Sequence, residues 1–244
     1  MRKLITKYLI NLAEKYVLIS TSLNRILCIF HALDFHKIYS DKNVSFQEQP
    51  FQINKNPPPF REVRTNFMVR VILENNYKRV VEIGADNLHR SLFYKRVFPD
   101  IQIFALDIIP GFPTGVTDGI HTARFDLEWF TEHALPNTII TSSGTLSYFK
   151  PDELVEFFNH IYNLGYDIAF AELGSYFAKT KSLRRSVISY YHPYTYLLKK
   201  IGYKVNVKHP DAFLDSDPLH PEHAFSLSMM ERGEYIFAKS ITKH

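Results

Sequence analysis

The stretch RVVEIGADNLHRSLFYKRVFPDIQIFALDI, residues 79–108, contains the pattern that decides the fold. A β-branched apolar run ends at Gly84, a helix-like segment follows, and a second apolar run ends at Asp107. Short, continuously apolar runs are typical of strands that are buried on both faces of a parallel sheet. The stretch therefore predicts a strand, a glycine turn, a helix and a second strand that ends at an acid.

The same alternation continues through the rest of the chain. We expect helices at 61–76, near 88–98, at 151–165 and near 181–201, and further strands at 121–126, 137–143, 166–174 and 203–209. The chain closes with a hairpin-like pair, residues 224–230 and 235–241, around ERGE. The prediction is a doubly wound α/β fold of Rossmann-like type, with a mainly parallel sheet and an antiparallel edge strand.

An amphipathic segment precedes this domain. Residues 4, 5, 8, 9, 12, 13, 16 and 17 are apolar at helical spacing, and a second such run follows Ser22. The consecutive prolines near residue 58 indicate an extended linker, so residues 1–60 form a helical appendage and residues 61–244 the main domain. Three roles are open for these two helices: packing on their own domain, forming a homodimer interface, or lying against an anionic membrane surface. Neither run has the roughly 18 apolar residues of a membrane span, and Glu14 and Lys15 interrupt any signal peptide.

Composition excludes several classes of protein. The 244 residues are 45% apolar, which fits one globular domain with an appendage. A single cysteine, Cys28, rules out an internal disulfide and suits a cytoplasmic location. The net charge is +4, and residues 1–40 hold six basic and two acidic side chains, which accounts for all of it. Because no basic stripe runs through the main domain, nucleic acid is not an expected partner.

The ends of the two strands predict a ribose-containing ligand. Open parallel sheets bind ligands beyond the carboxyl ends of their strands, and an acid about 20 residues after the first glycine is placed to accept hydrogen bonds from a ribose diol. A dinucleotide would also need the glycines of G-x-G-x-x-G, where this chain has Asp86 and His89, and Asp86 would repel a pyrophosphate. S-adenosylmethionine carries no phosphate, and its positive groups suit an aspartate.

The motifs together resemble those of the class I, Rossmann-like S-adenosylmethionine-dependent methyltransferases, over residues 61–240. VVEIGADN resembles the first motif of that family, FALDI the second, ARFDLE the adenine-contacting segment, and IITSSGTLSYFKPDELVEFF the fourth strand with its active-site loop. The resemblance implies S-adenosyl-L-methionine as cofactor. It implies the following cofactor-binding residues: Glu82, Gly84, Ala85, Asp86, Asp107, Ile108, Asp126, Leu127, Ser142 and Ser143.

The acceptor side is predicted from the later part of the chain. YYHPYTYLLKKIGYKVNV resembles a late helix and turn of bacterial O-methyltransferases that act on sugars or other small molecules. His192 is the predicted general base for a hydroxyl acceptor, since a histidine pKa lies near working pH. Tyr148, Tyr191 and Tyr194 are predicted to bind the acceptor, a sugar or saccharide hydroxyl. Glu172, at the end of a strand, is a further candidate for the cleft.

The sequence leaves two alternatives to a methyltransferase and contains one segment that could bind a metal. Asp86 and Leu88 replace the second and third glycines of the first motif, which keeps open a methyltransferase-like binding module without catalysis. The other alternative is a nicotinamide-dependent oxidoreductase or epimerase. The segment DSDPLHPEH, residues 215–223, has side chains that could bind a divalent metal, but its prolines favour a solvated turn, so no metal is predicted.

Overall fold

The computed structural model describes residues 60–109, 111–175, 178–184, 189–208 and 231–241. The predicted amino-terminal helices and linker, the strand expected at 224–230 and the segment 215–223 lie outside the described residues. In the part of the chain that is described, no helix is both long enough and apolar enough to cross a membrane. That same part contains no group of three or more His, Cys, Asp or Glu side chains that could hold a metal ion.

The described chain alternates helices and strands. The helices are α1 (Phe60–Asn75), α2 (His89–Val97), α3 (Leu127–Glu132), α4 (Pro151–Asn163) and α5 (Tyr194–Ile201). The strands are β1 (Arg79–Ile83), β2 (Gln102–Asp107), β3 (Gly115–Thr117), β4 (Ile120–Arg124), β5 (Thr138–Ser143), β6 (Asp167–Ser175), β7 (Leu183–Arg184), β8 (Tyr190–Tyr191), β9 (Lys204–Lys208) and β10 (Glu231–Lys239). A 3-10 turn, Leu146–Tyr148, follows β5.

Eight of these strands form one sheet in the order β3-β4-β2-β1-β5-β6-β10-β9. Strand β1 pairs in parallel with β2 on one side and with β5 on the other, so the order of the strands reverses at β1. Strands β4 and β6 continue the parallel sheet outward. Strand β3 is an antiparallel edge strand, and β10 runs antiparallel to both β6 and β9. The doubly wound, mainly parallel sheet with an antiparallel edge strand is confirmed.

Helices cover both faces of the sheet. On one face, Phe157 and Phe158 of α4 and Leu198 of α5 pack on Val81 and Ile83 of β1. On the other face, side chains of α1 and α2, including Met68, Ile72 and Tyr94, pack on Val80 and Ile103. Successive residues of β1 thus contribute to opposite cores, as the pleat of a strand requires. The two cores fix the sheet from both sides and leave its carboxyl edge open.

The prediction for the carboxyl-terminal hairpin is wrong. ERGE is the first part of β10, which pairs with β6 from Glu231↔Ser175 to Ala238↔Ile168. Hydrogen bonding along this whole ladder outweighs the turn preference of one glycine, Gly233. Strand β9 pairs with the later residues of β10 on its other side.

The helix expected near 181–201 is also shorter than predicted. Pro193 disfavours helical backbone at the residue before it, and α5 begins immediately after it. Ahead of the proline, β7 and β8 pair antiparallel as a separate two-stranded sheet.

Candidate functional site

A cleft of about 1360 Å³ opens at the carboxyl ends of β1, β2 and β5, beside the reversal in strand order. This is the place where open α/β sheets bind their ligands. The volume exceeds the roughly 300–1000 Å³ of a pocket for one small molecule, so the cleft has room for two. Its walls include nine of the predicted site residues: Glu82, Gly84, Ala85, Asp86, Asp107, Ile108, Leu127, Ser143 and Tyr148.

The turn after β1 keeps a glycine-like backbone although two glycines are missing from the motif. Gly84 has φ +69°, Asp86 φ +46° and Leu88 φ +60°. Leu88 is fully buried, so its packing stabilises a conformation that a leucine rarely adopts. Aspartate tolerates this conformation better than most residues. The departures from the glycine motif therefore leave the left-handed turn intact.

Amide groups of this turn donate hydrogen bonds within the protein. The amides of Gly84 and Ala85 both donate to the carbonyl oxygen of Leu106, at 2.9 and 3.3 Å. The amide of Asp86 donates to Oδ2 of Asp107 at 2.7 Å. These bonds hold the end of β1 against the end of β2.

The Asp107 carboxylate is buried and fixes the backbone around it. Oδ1 accepts from the amides of Ile108 and Ile109, at 2.7 and 3.0 Å, while Oδ2 accepts from the amide of Asp86. A carboxylate has about four acceptor positions, and three are occupied by these bonds. Asp107 lines the cleft, so its geometry suits one further donor, such as one hydroxyl of a ribose, where the sequence predicted bonds to a diol.

Glu82 is paired with the first turn of α2. Its Oε1 accepts from Nη1 of Arg90 at 2.6 Å, and its Oε2 accepts a short hydrogen bond from the Ser91 hydroxyl. Burial raises the pKa of Glu82 above its ordinary value, although the Arg90 guanidinium and the Ser91 hydroxyl act in the opposite direction. The pair joins the floor of the cleft to its helical wall.

The Glu172 carboxylate accepts hydrogen bonds from the backbone of the loop after β5. Its Oε1 accepts from the amides of Thr145 and Leu146, both at 2.8 Å, and lies 3.5 Å from the Ser142 hydroxyl. Ser142 is fully buried and is not among the residues of the cleft wall, which corrects its predicted contact with the cofactor. Ser143, the next residue along the strand, lines the cleft because successive side chains of a strand face opposite ways.

The predicted adenine segment is only partly placed on the wall. Phe125 and Leu127 line the cleft, whereas Asp126, between them, is exposed and does not. Oδ1 of Asp126 accepts from the amide of Glu128 at 3.0 Å and caps the amino terminus of α3. The cap uses one of the two carboxylate oxygens, so the predicted contact between Asp126 and the adenine amino group stays a prediction.

His192 does not occupy a position suited to a general base. It is 1% exposed and is absent from the cleft wall. Nδ1 lies 2.8 Å from the Ser182 hydroxyl and Nε2 lies 3.1 Å from the carbonyl oxygen of Phe149. Since a carbonyl needs a donor, Nε2 carries the proton and Nδ1 accepts from Ser182. Both ring nitrogens are therefore engaged in hydrogen bonds within the protein, to Ser182 and to Phe149. The predicted catalytic role of His192 is not supported.

Tyr191 and Tyr194 flank this histidine in the sequence and share its burial. Tyr194 is 0% exposed and packs against Phe170 and His192, while Tyr191 is 7% exposed. Neither lies on the cleft wall, so their predicted contact with the acceptor is corrected to a role in packing. Tyr148, in the 3-10 turn, is the predicted acceptor-binding tyrosine that does line the cleft, and it is 55% exposed.

The buried histidine gives a pH-dependent stability. Burial lowers the pKa of His192 to about 4 from its usual 6.5. As pH falls below 6.5, the unfolded chain binds a proton that the folded chain does not, so His192 makes folding less stable down to about pH 4. Between pH 7 and pH 5 this loss amounts to about 2 kcal/mol. Between pH 7 and pH 5, the free energy of unfolding of His192→Gln, measured in urea, should fall by about 2 kcal/mol less than that of the wild type. An equal fall in the two proteins would contradict the burial of His192.

Several residues of the cleft were not anticipated from sequence. Arg64 reaches it from α1, and its Nη1 lies 3.8 Å from a Cβ built on Gly144. Thr145 fills the space over Gly84, and Arg90 and His89 bring the first turn of α2 to the wall. The positions of His89 and Arg90 could have been predicted from the sequence, because a helix that follows a strand and a tight turn places its first turn beside the end of that strand.

Comparisons with known proteins agree with this architecture. No protein-family model and no curated protein matches the chain. Among solved structures, the amino-terminal domain of EvdMO1 with SAH bound has a TM-score of 0.53 at 10% identity, covering 86% of this chain and 98% of that one. The chain has a Rossmann-like methyltransferase fold.

Two further structures share the fold. Human N-acetylserotonin methyltransferase in complex with SAM gives a TM-score of 0.51 at 12% identity, covering 73% of this chain and 52% of that protein. A protein from Galdieria sulphuraria, described as a sarcosine dimethylglycine methyltransferase, gives a TM-score of 0.50 at 12% identity, covering 85% of this chain and 98% of that one. The acceptors in these names differ, so the shared fold does not identify an acceptor for this chain.

Proposed function

We propose that the protein is an S-adenosylmethionine-dependent methyltransferase that acts on a small-molecule acceptor. The observation that carries the proposal is the bond between the two strand ends, in which the amide of Asp86 donates to Asp107. This bond fixes the Asp107 carboxylate at the glycine turn and leaves it one acceptor position for a ribose hydroxyl. A cofactor with a ribose fits that position, and the negative charge of Asp86 at the turn disfavours a phosphate there.

The other walls of the cleft suit the same cofactor. Ile108, Phe125 and Leu127 provide apolar surface beside Asp107 for an adenine ring. Asp86, at the turn, suits positive charge. When bound, S-adenosylmethionine supplies an electrophilic methyl group on a sulfonium. The residues of this chain then have to hold cofactor and acceptor in line and exclude water, which can account for much of the rate of a displacement.

We further propose a hydroxyl of a sugar or saccharide as the acceptor. The size of the cleft supports a second ligand beside the cofactor, and the exposed Tyr148 lies on its wall. With His192 buried elsewhere, His89 and Glu156 are wall residues of a type that can accept a proton from a hydroxyl. Nucleic acid is not proposed as a partner.

Ligand binding distinguishes this proposal from its two alternatives. S-adenosylhomocysteine should stabilise the protein by about 2.7 kcal/mol at a concentration 100-fold above its Kd, and NADH at the same concentration should not. The comparison is made by thermal unfolding and calorimetry. Protection by NADH would favour the oxidoreductase, and protection by neither ligand would contradict the proposed cofactor. If the protein binds S-adenosylhomocysteine but transfers no methyl group from S-adenosylmethionine to any acceptor tested, the binding module is favoured.

A further inference from the structure

Two helices give one wall of the cleft a positive charge. Three consecutive residues of α1 line the cleft, and so do three residues of α2 that recur on one face at helical spacing. We call this surface the basic wall, and its members are Arg64, Thr65, Asn66, His89, Phe93 and Arg96. Two of the six are arginines, and none is an acid. Arg90, also on α2, is neutralised by its ion pair with Glu82.

The acids of the cleft wall lie on other elements. They are at the ends of β1 and β2, in the glycine turn and on α4: Glu82, Asp107, Asp86, Glu153 and Glu156. Asp107 and Asp86 are on the side that suits the ribose and the positive groups of the cofactor. The cleft is therefore polarised, and a second ligand along α1 and α2 meets positive charge.

The guanidinium of Arg96 is directed back along α2. Its Cζ lies 5.9 Å from the centre of the Phe93 ring, about one turn earlier in the helix. Helical side chains lean toward the amino terminus of their helix, and α2 begins at the carboxyl edge of the sheet, so this charge is directed to the cleft. Arg96 is exposed, and no carboxylate of the described residues lies within ion-pair distance of it. Its guanidinium is thus accessible to a ligand in the cleft.

Arg64 brings a second guanidinium to the loop after β5. This side chain is half-buried, and its Nη1 lies 3.8 Å from a Cβ built on Gly144. Gly144 directly follows β5, the neighbour of β1 in the sheet, and it lines the cleft as well. Arg64 therefore extends the positive charge of the basic wall from α2 to the centre of the carboxyl edge.

The chemistry of the two arginines specifies the class of ligand. A guanidinium presents its N–H groups as a rigid fork that matches the paired oxygens of a carboxylate or a phosphate. Resting on the function proposed above, we propose that the basic wall binds such an anionic group of the acceptor through Arg96 and Arg64. The acceptor is thus an acidic saccharide, which carries a carboxylate or a phosphate besides the hydroxyl that is methylated.

The spacing along α2 places the two ends of this acceptor. His89 and Arg96 are seven residues apart in the helix, which is about 10 Å along its axis. Phe93 lies between them and offers an apolar ring to the sugar. The anionic group therefore lies about two helical turns from a hydroxyl that gives its proton to His89.

The test uses inorganic phosphate and acetate as probes of the anionic group. Calorimetry at constant ionic strength measures their binding to the free protein and to the protein saturated with S-adenosylhomocysteine. We expect at least one probe to bind together with S-adenosylhomocysteine, and the tighter of the two identifies the group as phosphate or carboxylate. Arg96→Gln and Arg64→Gln should each weaken that probe at least five-fold and leave the affinity for S-adenosylhomocysteine within two-fold of the wild type.

Arg70→Gln is the matched control, because Arg70 is exposed on α1, six residues after Arg64, and is absent from the cleft wall. It removes the same charge, so the affinity for the probe should stay within two-fold of the wild type. An equal loss in Arg70→Gln would reduce the effect to overall charge and overturn the proposal. Displacement of S-adenosylhomocysteine by the probe would also overturn it, because the anion site would then belong to the cofactor.

Two further outcomes separate this proposal from the proposed function. If S-adenosylhomocysteine binds and neither probe does, the basic wall has no anion site and this proposal alone is overturned. If S-adenosylhomocysteine does not bind the wild type, the proposed function fails, and the assignment of an acceptor fails with it. Binding of a single-stranded oligonucleotide that depends on Arg64 and Arg96 would assign the wall to nucleic acid and overturn the acidic saccharide.

Discussion

Replacing Gly84 by alanine is expected to destabilise the protein by about 2–5 kcal/mol and to abolish binding of S-adenosylhomocysteine. A Cβ at this position would lie 1.9 Å from Oγ1 and 2.6 Å from Cβ of Thr145. Rotation of the threonine side chain cannot relieve contact with its own Cβ, so the β5 loop must move. The left-handed φ of +69° adds about 1–2 kcal/mol for any residue with a side chain.

Two further variants separate these causes. Gly111 also has a left-handed φ, +78°, but a Cβ there would meet nothing within 4 Å. Gly111→Ala should therefore show the backbone cost without the collision. Combining Gly84→Ala with Thr145→Gly should recover about 1–3 kcal/mol of the loss, because it removes the obstructing side chain. Urea unfolding measures all of these variants, and equal losses for Gly84→Ala and Gly111→Ala would show that Thr145 does not pack over the turn.

Asp107→Asn is expected to weaken S-adenosylhomocysteine binding by about 10- to 100-fold. One oxygen becomes an amide NH₂, which cannot accept from the backbone donors that Asp107 now serves. The amide group also meets at least one backbone N–H head-on, so the protein should lose about 1–3 kcal/mol of stability. Calorimetry measures the affinity, and urea unfolding measures the stability.

Asp126→Asn makes the same chemical change outside the cleft wall. Asparagine caps a helix about as well as aspartate, so α3 should be unaffected. Its affinity for S-adenosylhomocysteine should stay within two-fold of the wild type. A loss comparable with that of Asp107→Asn would show that Asp126 contacts the cofactor after all, as the sequence motif predicted.

Local patterns were enough to predict the unit from β1 to β2. The bounds of the two strands follow from short apolar runs. The first run ends at Gly84, where a turn begins, and the second ends at Asp107, which lies on the cleft wall. The helix α4 was equally readable, since Pro151 opens it and Leu154, Phe157, Phe158 and Ile161 recur on one face. Such features depend on neighbours within a few residues, which the sequence displays directly.

Residue type alone does not determine which side chains face the cleft. The residue type and late position of His192 predict a general base, but two separate segments, which contain Phe149 and Ser182, hold its ring in the interior. Ser142 and Ser143 are equally polar in sequence, and the pleat of β5 puts one under the loop and the other on the wall. Residue type gives the chemistry that is available, whereas packing decides which groups meet the ligand.

The sequence by itself determined the alternation of strands and helices, the turn at Gly84 and the acid at the end of β2, because propensity and hydrophobic period act over short distances. The tertiary structure decided how the strand ends meet and which side chains face the cleft. Thr145 over Gly84, Glu172 under the β5 loop and the burial of His192 each join segments that are far apart in the chain. Contacts of that kind follow from the order of strands in the sheet and leave no periodic pattern to read.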